Sequence, residues 1–188
     1  MEKVYLIVPS KEDLHYRQEW MKDQKTMNYN AGFDMNLKGY DKKTGIISKT
    51  DEEMIEWYNK WISKEPDRYF AYIYVDKIKE PIGEIYYYPD VDIHSMGILV
   101  VDKYRGKGYS YPALMELEKV AFEKNNINEL SDMVPLDRVG AIKTFKKAGF
   151  IHTDKEVIEK VFDKESTIRQ LLITKDMYFN KKESGNYE

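Results

Sequence analysis

One stretch constrains this chain more than any other: Val100-Val101-Asp102-Lys103-Tyr104-Arg105-Gly106-Lys107-Gly108-Tyr109-Ser110. Before it, Met96 to Val101 is an apolar run that reads as a buried strand. After it, Tyr111 to Lys124 places Leu114, Leu117, Val120 and Ala121 on one helical face. A glycine-rich turn therefore joins a strand to a helix N-terminus. Such a turn aims several backbone N–H groups at one point, and the helix dipole makes that point attractive to anions. Gly106 and Gly108 allow close backbone approach to a phosphate, and Arg105 and Lys107 add charge.

Two common phosphate turns are excluded. The P-loop needs Lys followed by Ser or Thr and an earlier Gly, but Gly108 follows Lys107 and Asp102 occupies the earlier position. The dinucleotide fingerprint needs three spaced glycines at the first strand of a βαβ unit, and the turn lacks them. A plain surface turn rich in Gly and Lys is the bland alternative for the stretch taken alone.

The 188 residues suit one domain, 1–188, with a sizeable core, and 42% hydrophobic content is ordinary for a globular chain. A net charge of −3 argues against nucleic acid or an anionic membrane as the main partner, so any anion site is local. With no Cys, thiolate nucleophiles, disulfides and Cys-based metal sites are excluded, and three His leave little basis for a metal. No apolar run approaches membrane-spanning length, and the N-terminal one is too short for a signal peptide, so a cytoplasmic protein is expected. Sixteen Tyr fall largely on predicted strands, where β-propensity and packing explain most of them.

Taken in order, Val4 to Val8 reads as a strand. Ser10 with Asp13 resembles a capping box opening a helix from Lys11 to Lys22. Thr26 to Lys49 is irregular and carries Tyr29, Phe33, Met35 and Tyr40, a binding loop or a set of aromatic plugs at a core edge. Thr50 and Glu53 cap the next helix. Tyr69–Val75 and Pro81–Tyr88 form a strand pair, Ile93–Val101 is the strand before the glycine turn, and Tyr109–Asn125 is the helix after it. Glu129–Val134 is a strand; Asp137 caps a helix through Lys147 with Gly149 beyond its end. Phe150–Phe162 and Thr167–Tyr178 are strands, and 180–188 is a polar, frayed tail.

Arg105-Gly106-Lys107-Gly108-Tyr109-Ser110 resembles motif A of the GCN5-related N-acetyltransferase (GNAT) superfamily, Arg/Gln-x-x-Gly-x-Gly/Ala, with Ser110 at the last position. Gly140-Ala141-Ile142-Lys143-Thr144-Phe145-Lys146-Lys147-Ala148-Gly149-Phe150 resembles its motif B helix. The element order fits as well, so the resemblance covers nearly the whole chain. It is nearest to the small bacterial branch acting on ribosomal protein termini or antibiotic amines. The implied fold is α+β: one domain with a central mixed, twisted sheet, a splayed parallel strand pair and flanking helices.

The resemblance implies that acetyl-CoA is the co-substrate, that no metal is needed, and that a homodimer is a candidate assembly. The pantetheine arm would meet the backbone of Ile98, Leu99 and Val100. The pyrophosphate would rest on Arg105, Gly106, Lys107, Gly108, Tyr109 and Ser110. An amine attacking the thioester must lose a proton, so a general base or a water wire is required. The candidates are Glu84, ranked first, His94 and Asp132; each has a plain structural reading as a solvated strand residue, a surface residue or a turn partner. The chain departs from motif B at Phe145, where relatives often carry a Tyr acid, and at Arg138, where they often carry Asn; Arg138 either contacts the cofactor or simply lies on the helix surface. A CoA-binding module without turnover, favoured by Phe145, and a protein acetyltransferase are the competing functions.

Overall fold

The computed structural model describes residues 2–185. Seven strands form one mixed sheet in the order β1-β2-β3-β4-β5-β7-β6: β1 Val4–Ile7, β2 Tyr69–Val75, β3 Gly83–Asp90, β4 Ile93–Val100, β5 Glu129–Pro135, β6 Ile151–Val161 and β7 Lys164–Thr174. Only β4 and β5 run parallel, and they pair only through His94↔Leu130 and Ser95↔Ser131. Beyond Ser95 the strands part, and each presents an edge whose backbone groups lack a neighbouring strand.

Two cores sandwich the sheet. One packs Ile85, Tyr87, Met96 and Val100 under Leu114, Leu117 and Phe122 of the helical stretch after the glycine turn. The other packs Phe70, Tyr72, Leu99 and Val101 against Trp20, Met21 and Met54. Trp57, Trp61 and Phe70 meet edge-on or stacked, with Tyr86 stacked on Phe70 at 5.9 Å. Most of the tyrosines thus pack, as their strand placement suggests.

Helix α1 (Leu14–Lys22) starts later than expected. The Ser10 amide and hydroxyl both donate to Asp13 Oδ2 at 2.8 Å, leaving only half of a capping box, and a turn precedes the helix. The irregular loop holds a short helix α2 (Gln24–Met27), capped by Asp23, followed by a 3₁₀ turn at Asn28–Asn30. Helix α3 (Asp51–Trp61) has the full Thr50–Glu53 box.

Three further expectations are corrected. The helix after the glycine turn is α-helical only as α4 (Ser110–Glu118) and widens to a π-helix over Lys119–Lys124. Asp137 is not a cap: α5 (Val139–Ala148) has Arg138 at its N-cap with no side-chain bond to the first turn, while Gly149 closes it at φ 110. The last strand stops at Thr174, whose hydroxyl accepts from the Met177 amide and opens α6 (Lys175–Glu183). That helix takes in part of the expected frayed tail; residues 186–188 lie outside the described ones. Among the described residues no helix is long and apolar enough to cross a membrane.

Candidate active site

The gap between β4 and β5 opens into a cleft of about 1400 Å³. The glycine turn and the start of α4 line it at one end. Tyr29 and Phe33 of the irregular loop, Glu84, Tyr86 and Tyr88 of β3, Asp132 of β5, and Arg138 and Phe145 around α5 line the rest.

The parity of β4 decides which backbone groups face the gap. The Val101 amide donates to Ile82 O at 2.9 Å, so Val101 faces the β3 side. A Cβ built on Gly83 would stand 2.0 Å from Leu99 O, which places that carbonyl on the β3 side too. Backbone groups alternate along a strand. Met96, Ile98 and Val100 therefore aim theirs at the gap, where the Val100 carbonyl already accepts from Arg105 Nε. The polar groups of Leu99 belong to the β3 ladder, which corrects its expected backbone contact.

The turn forms an open cradle. Gly106 and Gly108 adopt φ 73 and φ 84, and a Cβ at either would meet nothing within 4 Å. Among the described residues, the amides from Gly106 to Ser110 have no protein acceptor, and α4 begins at Ser110. Five N–H groups without a protein acceptor, leading into a helix start, suit a diphosphate. Lys107 Nζ lies 5.3 Å from the Tyr104 ring centroid, and the Tyr109 hydroxyl donates to Glu2 at 2.8 Å.

Arg105 differs from expectation. Its Nε donates to Val100 O at 2.8 Å, one Nη donates to Lys25 O at 3.2 Å, and the other donates to Thr26 O. The guanidinium ties the turn to α2 rather than standing free for an anion.

The three base candidates separate. His94 does not line the cleft; its ring packs edge-on against Tyr87 at 5.6 Å, and burial lowers its pKa. Glu84 is inside, only 5% exposed, with Oε2 at 3.0 Å from Arg17 Nε, but neither of those atoms has a directed hydrogen bond. Burial raises its pKa and the Arg17 charge opposes the rise. Arg17 in turn stacks 4.3 Å over Trp57. Asp132 also lines the cleft, on the strand edge that β4 has left. Burial lifts its pKa to about 7, against the Met133 amide and the Arg138 charge.

Desolvation raises the pKa of Tyr29, Tyr86 and Tyr88, so these phenols stay protonated. Arg138 lies 5.4 Å from the Tyr29 ring and 5.8 Å from Phe33, and donates to Tyr29 O. Phe145 is 3% exposed and edge-on to Phe150 at 5.0 Å, a packed ring with no proton to give. Among the described residues no cluster of His, Asp or Glu is set to hold a metal.

A family model described as an acetyltransferase (GNAT) domain matches residues 3–151. The chain belongs to the GNAT acetyltransferase family. It is an acetyl-CoA-dependent N-acetyltransferase. Among solved structures, spermidine N-acetyltransferase from Vibrio cholerae in complex with CoA and spermine superposes with a TM-score of 0.75 at 16% identity, over 94% of this chain and 98% of that one. A chimera of the Vibrio cholerae enzyme and hSSAT gives 0.71 at 16% identity, over 94% and 98%. These likenesses show the fold. No curated protein sequence matches the chain.

The signal that sequence reasoning missed is Arg138. Its departure from the family pattern was visible, but its reach to the carbonyl of Tyr29 was not, because that contact spans 109 residues.

Proposed function

We propose that this GNAT enzyme acetylates the primary amine of a small molecule by direct attack on acetyl-CoA, with Asp132 as the general base. One observation carries the reading: a cleft-lining carboxyl with a pKa of about 7 stands on the β5 edge that β4 has left. A base poised near the working pH transfers protons most effectively. Glu84 is a weaker base candidate because Arg17 already occupies it.

The ammonium of the acceptor gives one proton to Asp132, which passes it to water. The neutral amine attacks the thioester carbonyl; the N–C bond forms and the negative charge moves to the carbonyl oxygen. Backbone N–H groups on the free edge of β4 are the donors available to that oxygen. The C–S bond then breaks, the nitrogen loses its second proton, and the CoA sulfur gains one. A thiol pKa near ~8.5 makes the thiolate a tolerable leaving group, so Phe145 in place of an acid slows the step without preventing it. Tyr86 and Tyr88 keep their protons and can supply a hydrogen bond.

The family match supports acetyl transfer over binding alone. The test is transfer of labelled acetyl from acetyl-CoA to a panel of amines, with acetamide and CoA formed one for one. CoA binding without transfer to any amine would leave a binding module.

A further inference from the structure

Opposite charges share the acceptor end of the cleft without touching. Asp132 and Arg138 both line it, and each feels the other's charge, yet among the described residues no ion pair joins Arg138 to any carboxylate. Burial strips water from the Arg138 guanidinium, which faces the Tyr29 and Phe33 rings and spends one donor on Tyr29 O. Beside it, the amides of Gly140 and Ala141 in the first turn of α5 have no acceptor among the described residues, and both residues line the cleft. A desolvated guanidinium next to unpartnered helix-start amides is a seat for a carboxylate. The diphosphate has its own seat in the glycine turn, and Asp132, the proposed base, lies within reach of this second seat's charge, which favours the acceptor over the 3′-phosphate of CoA.

Resting on the reading that Asp132 receives the acceptor's amine, we infer that the acceptor is a free α-amino acid, its carboxylate held by Arg138 and the start of α5. A zwitterion bridges two opposite charges that do not pair with each other. Phe33, Met35, Tyr86 and Tyr88 form an apolar and aromatic wall for its side chain. A polyamine would bring a second cation towards Arg138, and a peptide N-terminus would leave Arg138 without an anion.

The test compares acceptors differing only in the carboxylate: phenylalanine with 2-phenylethylamine, tyrosine with tyramine, lysine with cadaverine, and spermidine as a polycation. Release of the CoA thiol reports the rate. The amino acid is expected to exceed its decarboxylated partner at least about 10-fold in kcat/KM in one or more pairs, the scale of a charge-assisted hydrogen bond. Arg138→Gln should narrow that ratio to within a few-fold while CoA affinity, read by calorimetry, holds; Arg138→Met, which also removes the charge, serves if the Gln variant does not fold. The wild-type ratio needs no variant. If no pair reaches that ratio while amines are still acetylated, the inference falls and the acetyltransferase reading stands. An Arg138→Gln variant that loses CoA affinity with its ratio intact moves Arg138 to the cofactor and overturns the inference. Transfer to no acceptor at all removes both.

Discussion

Asp132→Asn should abolish most of the activity and stabilise the protein. The carboxyl is pushed from 3.8 to about 7. Between those values the folded state holds a proton that the unfolded chain has released. Stability therefore falls as pH rises through that window. A shift of roughly three units corresponds to at most about 4 kcal/mol, and water in the cleft brings the expected figure to about 1–3 kcal/mol. Asn carries no charge at any pH. At pH 8 the variant should be more stable by that amount, a rise of about 5 °C in Tm for a chain of this size. At pH 5, inside that window, the difference should shrink to less than half, and it should vanish only below about pH 3.8, where both states hold the proton. Loss of the base should cost ~10²–10⁴-fold in kcat/KM for the acceptor. The wild-type profile should fall about tenfold per unit below pH 7, and the variant should lack that inflection. Melting curves at the two pH values and steady-state rates across pH 5.5–9 check both halves. A variant less stable than wild type at pH 8, or one retaining the inflection near 7, refutes the assignment.

Substitutions at three other positions probe the rest of the site. Gly108→Val places a branched side chain at φ 84, costing about 1–2 kcal/mol of stability for the left-handed backbone; because its Cβ would stand in the open cradle, acetyl-CoA affinity by calorimetry should fall by at least ~2 kcal/mol. Arg105→Ala strips three carbonyls of a charged donor and should lower stability by about 2–4 kcal/mol in urea titrations, with similar small losses of affinity for CoA and dephospho-CoA; a loss confined to CoA would place the guanidinium at the 3′-phosphate. Phe145→Leu should keep single-turnover acetyl transfer within a few-fold, since the ring only packs, whereas Phe145→Tyr should raise it modestly; a collapse of ~10³-fold in the Leu variant would show that the ring organises the chemistry.

The glycine turn, the parallel strand before it and motif B were legible because each is local: a few residues fix a backbone path and its exposed amides. Strand alternation also put Glu84, Tyr86 and Tyr88 on one face, and all three line the cleft. It could not rank the carboxylates. What separates Glu84 from Asp132 is Arg17, a residue 67 positions from Glu84 whose side chain arrives only when α1 packs on the sheet. The Arg105 side chain was misplaced for a similar reason. A motif suggests a cation near phosphates, but three carbonyls, two of them in α2, claim its donors first. Asp137 looked like a cap because it precedes an amphipathic run, yet the Val139 amide bonds its carbonyl at 2.9 Å and the helix starts beyond it.

The pKa of Asp132 depends on where Arg138 is not. An arginine within ~4–6 Å of a carboxylate commonly lowers its pKa by 1–3 units. If Arg138 closed on Asp132, the carboxyl would return towards its ordinary range and lose much of its basicity. The fold prevents this by giving the guanidinium other attachments: the carbonyl of Tyr29 accepts one donor, and the Tyr29 and Phe33 rings hold its plane. The neighbouring Arg105 grips Lys25 and Thr26 of the same segment from the cofactor side. One wall, running from α2 through Tyr29 to Phe33, is thus fastened by a side chain from the cofactor turn and another from the start of α5. It keeps the cation close enough to receive an anion and too far to neutralise the base. An acceptor carrying both charges completes the arrangement, since its carboxylate draws Arg138 further from Asp132 while its amine delivers the proton.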